Sequence, residues 1–114
     1  MENQLGQLSK AIAFLAEFRK LDSEMQMQTA LIFLLIAKDE GCSVRDLEQL
    51  TGLTSASCSR NVAALSDVGR KGNPGHNLVA VKVDADDRRQ RNLFLTTKGR
   101  AVLASALEGF RNAD

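Results

Sequence analysis

The sequence predicts a mainly α-helical fold carrying one small β-hairpin, an α+β chain, and three observations support it. Residues 43–65, SVRDLEQLTGLTSASCSRNVAAL, read as two short helices joined by a tight glycine-containing turn. Residues 78–96 hold two short runs of alternating apolar residues separated by DADDRRQR. The stretches 4–21 and 97–113 repeat apolar residues at three- and four-residue spacing, as amphipathic helices do. A helix pair of this kind followed by a hairpin is a winged helix-turn-helix. The 114 residues suit a single such domain, 1–114, with a modest core.

The helix pair, residues 43–68, is the most informative part. Ser43 can cap the first helix, and Asp46 three positions later makes an approximate capping box. Leu47 and Leu50 fall on one face, Gly52 supplies the permissive exit, and Leu53 follows as an apolar plug. Thr54 and Ser55 can cap the second helix, 55–68, whose Cys58, Val62 and Leu65 form an inner stripe. Its outer face, Ser55, Ala56, Ser57, Ser59, Arg60 and Asn61, is small or hydrogen-bonding throughout. A helix entering a major groove needs such a face, because it must approach base edges closely and bond to bases and phosphates. The bland alternative is a solvated surface. Serine is a weak helix former, however, and a run rich in it is unusual there. Thr54 at the cap and these six residues are therefore the candidate DNA contacts of the helix.

The formal net charge of +1 hides an uneven distribution. Residues 60–100 carry nine Lys/Arg against four Asp/Glu, whereas residues 1–59 carry five against eight. The basic surplus lies with the candidate DNA-contacting elements, as an electrostatic footprint should.

Taken in order, residues 4–21 form an amphipathic helix with Leu5, Leu8, Ile12 and Leu15 on one stripe, widened by Phe14, Phe18 and Leu21. So wide a stripe covers either the chain's own core or a second copy of the chain. Asp22 or Ser23 starts the next helix, Glu24 to about Lys38, in which Met27, Ala30, Leu31, Phe33, Leu34, Leu35 and Ile36 suggest a central buried element ending at Gly41. Residues 69–77 are a loop by composition, and its Arg70, Lys71 and His76 either lie beside a phosphate backbone or are simply solvated. His76 is the only histidine and has no identifiable catalytic or metal partner.

Val79, Val81 and Val83, then Leu93 and Leu95, mark the two strands of the wing, 78–96. Arg88, Arg89 and Arg91 at its tip suit a narrow minor groove, whose negative potential attracts guanidinium groups. Asp84, Asp86 and Asp87 lack the glycine and later glutamate of a calcium loop, so one of them is expected to hold an arginine in a bidentate pair. Thr96 or Thr97 caps the last helix, with Val102, Leu103, Ala106, Leu107 and Phe110 on its apolar face.

Other classes find little support. One histidine, no Cys–His pair, no metal-ligand cluster and no phosphate-binding glycine loop leave little for an enzyme, so no catalytic residue, metal ligand or cofactor is expected. The longest apolar run, 30–37, is too short to span a membrane, and the start lacks signal-peptide character, which makes the cytoplasm the expected location. Cys42 and Cys58 are then free thiols; a redox-sensing role would require exposure and a lowered pKa.

At the wing the residues match a known pattern. Asp87-Arg88-Arg89 followed by LFLTTKG resembles the Asp-x-Arg…Leu-Thr-x-x-Gly signature of the MarR (multiple antibiotic resistance regulator) winged-helix family, and LEQLTGLTSASCSRNVAAL has that family's helix-turn-helix spacing. The resemblance covers roughly residues 25–105. It implies that Arg89 enters the minor groove, that Asp87 orients it, and that Ser55, Ser57, Ser59 and Arg60 contact DNA from the recognition helix. It also implies a homodimer built from helices 4–21 and 97–113, binding pseudo-palindromic double-stranded DNA and repressing transcription.

The chain departs from the pattern in three ways. It has one C-terminal helix where members commonly have a longer pair, a long loop at 70–77, and Asn61 where an apolar residue is common. No small-molecule effector is predicted. The competing reading is a winged helix that serves as a protein–protein interaction or assembly module, favoured by the near-neutral net charge and the weakly basic, serine-rich helix.

Overall fold

The computed structural model describes residues 3–67 and 74–112. Val68, Gly69, Arg70 and Lys71, assigned from sequence to the end of the recognition helix and the loop after it, lie outside the described residues. Helix α1 (Gln4–Leu21) begins at Asn3, whose side chain accepts from the Gly6 N–H at 2.7 Å. It ends with Arg19 and Lys20 in its last turn, where cations complement the helix dipole. Helix α5 (Thr97–Asn112) packs alongside it. The approach is close enough that a Cβ at Gly109 would lie 3.0 Å from the Ala13 Cβ.

Phe14 joins the two helices to the core. Its ring centroid lies 5.2 Å from that of Phe110 and 5.2 Å from that of Phe18, and Phe18 in turn meets Phe33 at 5.9 Å. The wide α1 stripe is thus divided. Phe14, Phe18 and Leu21 pack inward, while Leu5, Leu8, Ile12 and Leu15 stay exposed in the single chain.

Helix α2 (Met27–Lys38) starts three residues later than the sequence predicts. The Asp22 carboxylate accepts from the Glu24 N–H at 2.9 Å, and its carbonyl accepts from the Met25 N–H at 3.1 Å, which builds a turn where a helix was expected. The helix buries Thr29, Ile32, Phe33 and Ile36. Met27 and Leu31, expected inside, are 88% and 46% exposed, so α2 has one buried face and is not buried all round.

Helix α3 (Val44–Thr51) carries the full capping box: the Asp46 N–H donates to Ser43 Oγ at 3.1 Å and the Ser43 N–H donates to Asp46 Oδ2 at 2.9 Å. Leu47 is completely buried, but Leu50, expected beside it, is 64% exposed. The two share one side of the helix, but the core contacts α3 at Leu47 and does not extend to its last turn at Leu50. Gly52 ends α3 with φ +75°, a left-handed cap that side chains rarely adopt.

Thr54 caps helix α4 (Ser55–Leu65), accepting from the Ser57 N–H at 3.1 Å. The helix stops three residues short of the expected end at 68, because Ser66 turns extended. The chain then returns across its open end: His76, Asn77 and Leu78 N–H groups donate to the carbonyls of Ala64, Ser66 and Leu65 at 2.9, 3.1 and 2.7 Å. These bonds satisfy acceptors that a helix terminus leaves unpaired.

Strands β1 (Val79–Val83) and β2 (Arg91–Leu95) pair antiparallel, with Val79 opposite Leu95 and Val83 opposite Arg91. The connection between α2 and α3 runs along the other side of β2, a pairing with no sequence signal. The Gly41 N–H donates to the Leu93 carbonyl at 2.7 Å, the Leu93 N–H donates to the Cys42 carbonyl at 2.8 Å, and Ser43 bridges Asn92. Beneath them Ile32, Ile36, Leu47, Cys58, Leu65, Leu78 and Leu93 belong to one buried core. Thr96 then caps α5, accepting from the Gly99 N–H at 2.9 Å. Gly99 sits against the Leu78 carbonyl, where an added Cβ would fall 2.1 Å from the oxygen. This contact gives a packing reason for the glycine in the LTTKG run. No described helix is long and apolar enough to cross a membrane.

Candidate nucleic-acid interface

One face of the molecule carries a groove of about 530 Å³ between the start of α3, the outer side of α4 and the wing tip. Ser55 and Ser59 from α4 line one wall, and Asp87, Arg89, Gln90 and Arg91 from the wing line the other. Val44, Arg45 and Glu48 of α3 close the end. Residues more than thirty positions apart in sequence are thereby brought to one surface.

The candidate contacts on α4 divide into two groups. Thr54, Ser55, Ala56, Ser59 and Arg60 are exposed, as their outer placement requires. Ser57 and Asn61, expected on the same face, turn inward and are buried. The Asn61 side chain accepts from the Thr29 hydroxyl at 2.6 Å and donates to the Ser57 carbonyl at 2.8 Å, which fills its bonding needs inside the α2–α4 contact. An eleven-residue helix packed against both α2 and α3 has only a narrow outer face, and these two positions fall on its flank toward α2. Both are therefore withdrawn as direct outer-face contacts. Arg60 is exposed beside the groove and lines a second, polar depression of about 490 Å³ that also includes Asp22, Thr29 and His76.

The wing tip is built by Asp84, one of the three aspartates expected to hold an arginine, which instead organises the turn. Asp84 Oδ1 accepts from the Asp86 and Asp87 N–H groups at 2.8 and 3.2 Å, and Oδ2 accepts from the Asn92 side chain at 3.0 Å. The side-chain bond from Asn92, then the two backbone bonds, hold the Asp84 carboxyl below the usual carboxylate range. The Asp84 N–H donates to the Gln90 carbonyl at 3.0 Å and the Gln90 N–H to that of Asp87 at 2.9 Å, closing the turn. A pattern of Asp followed two residues later by further turn formers is the signal that could have identified it.

Asp87 meets Arg89 less tightly than a bidentate pair would require. Its carboxylate accepts from the Arg89 main-chain N–H at 3.0 Å, while the guanidinium Nε lies 3.8 Å away and the Arg89 side chain is 96% exposed. The guanidinium is free to project. Arg91 is steadied by donation to the Arg88 carbonyl at 2.8 Å, and Arg88 stays at the exposed tip, outside the groove wall.

Arg45 is the residue that sequence reasoning missed. It stands exposed in the first turn of α3, at the groove's end. A cation at a helix N-terminus opposes the dipole, so α3 itself gains nothing from this placement.

His76, left without a partner by the sequence, lies with Nε2 3.4 Å from Asp22 Oδ2. Cys42 is buried, and desolvation, then the Asp39 and Asp46 carboxylates, push its thiol up to about 11. Such a thiol is the reverse of the exposed, ionised group that redox sensing needs.

Fold and groove together define a winged helix-turn-helix. No protein-family model and no curated protein sequence matches the chain. Solved structures do. The chain is similar to the S. aureus MepR–DNA complex, with a TM-score of 0.72 and 19% identity over 92% of this chain and 76% of that one. It is similar to the transcriptional repressor CouR bound to a 23-mer DNA duplex, with a TM-score of 0.68 and 23% identity over 96% and 70%. MarR itself superposes with a TM-score of 0.68 and 15% identity over 96% and 72%. The fold is that of the MarR-type winged-helix proteins.

Proposed function

We propose that the chain is a dimeric, sequence-specific regulator of transcription that binds double-stranded DNA and acts as a repressor. The observation that carries this reading is the groove that faces the exposed hydroxyls of Ser55 and Ser59 with the guanidinium groups of Arg89 and Arg91. In this reading Thr54, Ser55, Ala56, Ser59 and Arg60 present α4 to the major groove, and Arg88, Arg89 and Arg91 reach along the adjacent minor groove. Arg45 contacts a phosphate beside them. The solved DNA complexes of CouR and MepR, which have the same fold, support a DNA partner. The exposed Leu5, Leu8, Ile12 and Leu15 of α1, with Leu107 of α5, supply an apolar surface for a second copy. Two subunits would then read half-sites about 34–36 Å apart.

Fluorescence anisotropy on selected palindromic and on random duplexes, across a salt series, tests the reading. Tight binding to a subset of sites is expected, with affinity falling steeply as salt rises. Arg89→Ala should weaken binding roughly tenfold or more. Binding that ignores both sequence and salt would point instead to a protein-interaction module.

A further inference from the structure

We propose that Glu40 is a positioning residue for DNA recognition: its carboxylate fixes the root of the wing to the first turn of α5, so that the orientation of the chain's first and last helices sets the pose of the wing tip. This rests on the DNA-binding reading and extends it from the contacting residues to what aims them.

The wing and α5 meet at a joint of one residue. β2 ends at Leu95, Thr96 caps α5, and α5 begins at Thr97. Glu40 holds both sides of that joint from a third element, the exit of α2. Its Oε1 accepts from the Leu95 N–H at 2.8 Å on the strand side. On the helix side its Oε1 and Oε2 accept from Arg100 Nη2 at 2.9 Å and Nη1 at 2.7 Å, a fork-to-fork pair. This is the bidentate arrangement that the sequence placed at the wing tip. It is found instead at the wing root.

Next to it, Gly41 at φ +98° donates its N–H to the Leu93 carbonyl, so the residue that follows Glu40 is also bonded to β2. Helix α5 packs along α1, whose exposed apolar face is the one assigned to a second copy. A rotation of α5 therefore cannot occur without pulling on Leu95, and Leu95 lies one strand length from Arg91.

Exposed ion pairs add little to stability. That separates a positioning role from a merely structural one, because removing this pair should disturb the wing more than the fold. The test uses the full-length chain with Glu40→Gln, which keeps an acceptor for the Leu95 N–H but loses the charged fork. Arg100→Lys, which keeps the charge and loses the fork geometry, is the second variant should the first fold poorly.

Both variants should melt within a few degrees of the wild type, yet amide exchange and chemical shifts from Arg91 to Leu95 should change. Affinity for the selected duplex should fall roughly 2- to 30-fold, the usual range for residues that act through others. In a background with Arg88, Arg89 and Arg91 all replaced by Ala the same substitution should cost nothing further, since the wing tip then no longer contributes. Independent, multiplying losses would overturn the proposal, as would unchanged wing amides. If the wild type binds no selected duplex, the DNA reading fails by itself. The amide measurement alone then decides whether Glu40 couples wing to helix.

Discussion

Asn61 shows how a single side chain can be misplaced by sequence and still matter. On a helical wheel it shares a face with Ser57 and lies near Arg60; in the structure it is a buried amide bonded to Thr29 and to the Ser57 carbonyl. What decides is the position of α2, which periodicity within α4 cannot reveal. Asn61→Ala should strand the Thr29 hydroxyl and destabilise the chain by about 1–3 kcal/mol, read from urea denaturation. Pairing Asn61→Leu with Thr29→Val removes both polar partners together and should cost markedly less. Equal losses for the two would mean that the hydrogen bond is not the issue. The neighbouring exposed residues, Ser55 and Ser59 with Arg89 and Arg91, were readable from the sequence because small size, hydroxyls and charge in a turn carry their own signal. Arg45 was not, because its place at the groove comes from coordinates; Asp84 was read as one of three possible arginine partners although its spacing to Asp86 and Asp87 signals a turn.

At the scale of elements, caps and alternation were legible and lengths were less so. Ser43, Gly52, Thr54 and Thr96 cap the helices where local chemistry predicts. Both strands of the wing lie within residues 78–96. The start of α2 and the end of α4 were each misjudged by three residues, since Asp22 builds a turn and residues 76–78 fold back over α4. The long-range pairing of residues 41–43 with β2 leaves no mark in either stretch.

The wing also carries a pH prediction. Asp84 is held below its ordinary value by Asn92 and the turn's backbone N–H groups, and Glu40 by Arg100 and then the Leu95 N–H. A carboxyl depressed on folding stabilises the fold above its unfolded value, and the contribution is lost as pH falls through the folded one. The wing should therefore stay ordered at neutral pH and loosen only in acid. A carboxyl-detected NMR titration should give midpoints below the reference values of 3.8 for Asp84 and 4.5 for Glu40. Midpoints at or above those values would remove both groups from the wing's support.

At the scale of the molecule, the apolar residues that α1 leaves uncovered make the strongest demand on a partner. Sedimentation of the full chain should report a dimer, and Leu8→Glu combined with Ile12→Glu should shift it to monomer while leaving the helix content of the fold. A wild type that sediments as a monomer would remove the second copy as the occupant of that face. Charge on an exposed stripe costs the single chain little, so a dissociated variant that still folds is the informative result.

The hairpin has a further consequence away from any DNA. Residues 41–43 occupy the outer side of β2, so among the described residues the unpaired edge of the sheet is β1, the run VAVKV. An exposed edge of that composition is a ready template for strand addition by another chain. Lys82, the fourth of its five residues, is its one charge, and its ammonium sits 4.9 Å above the Phe94 ring. A lysine on an edge strand is a placement that opposes edge-to-edge pairing with another chain.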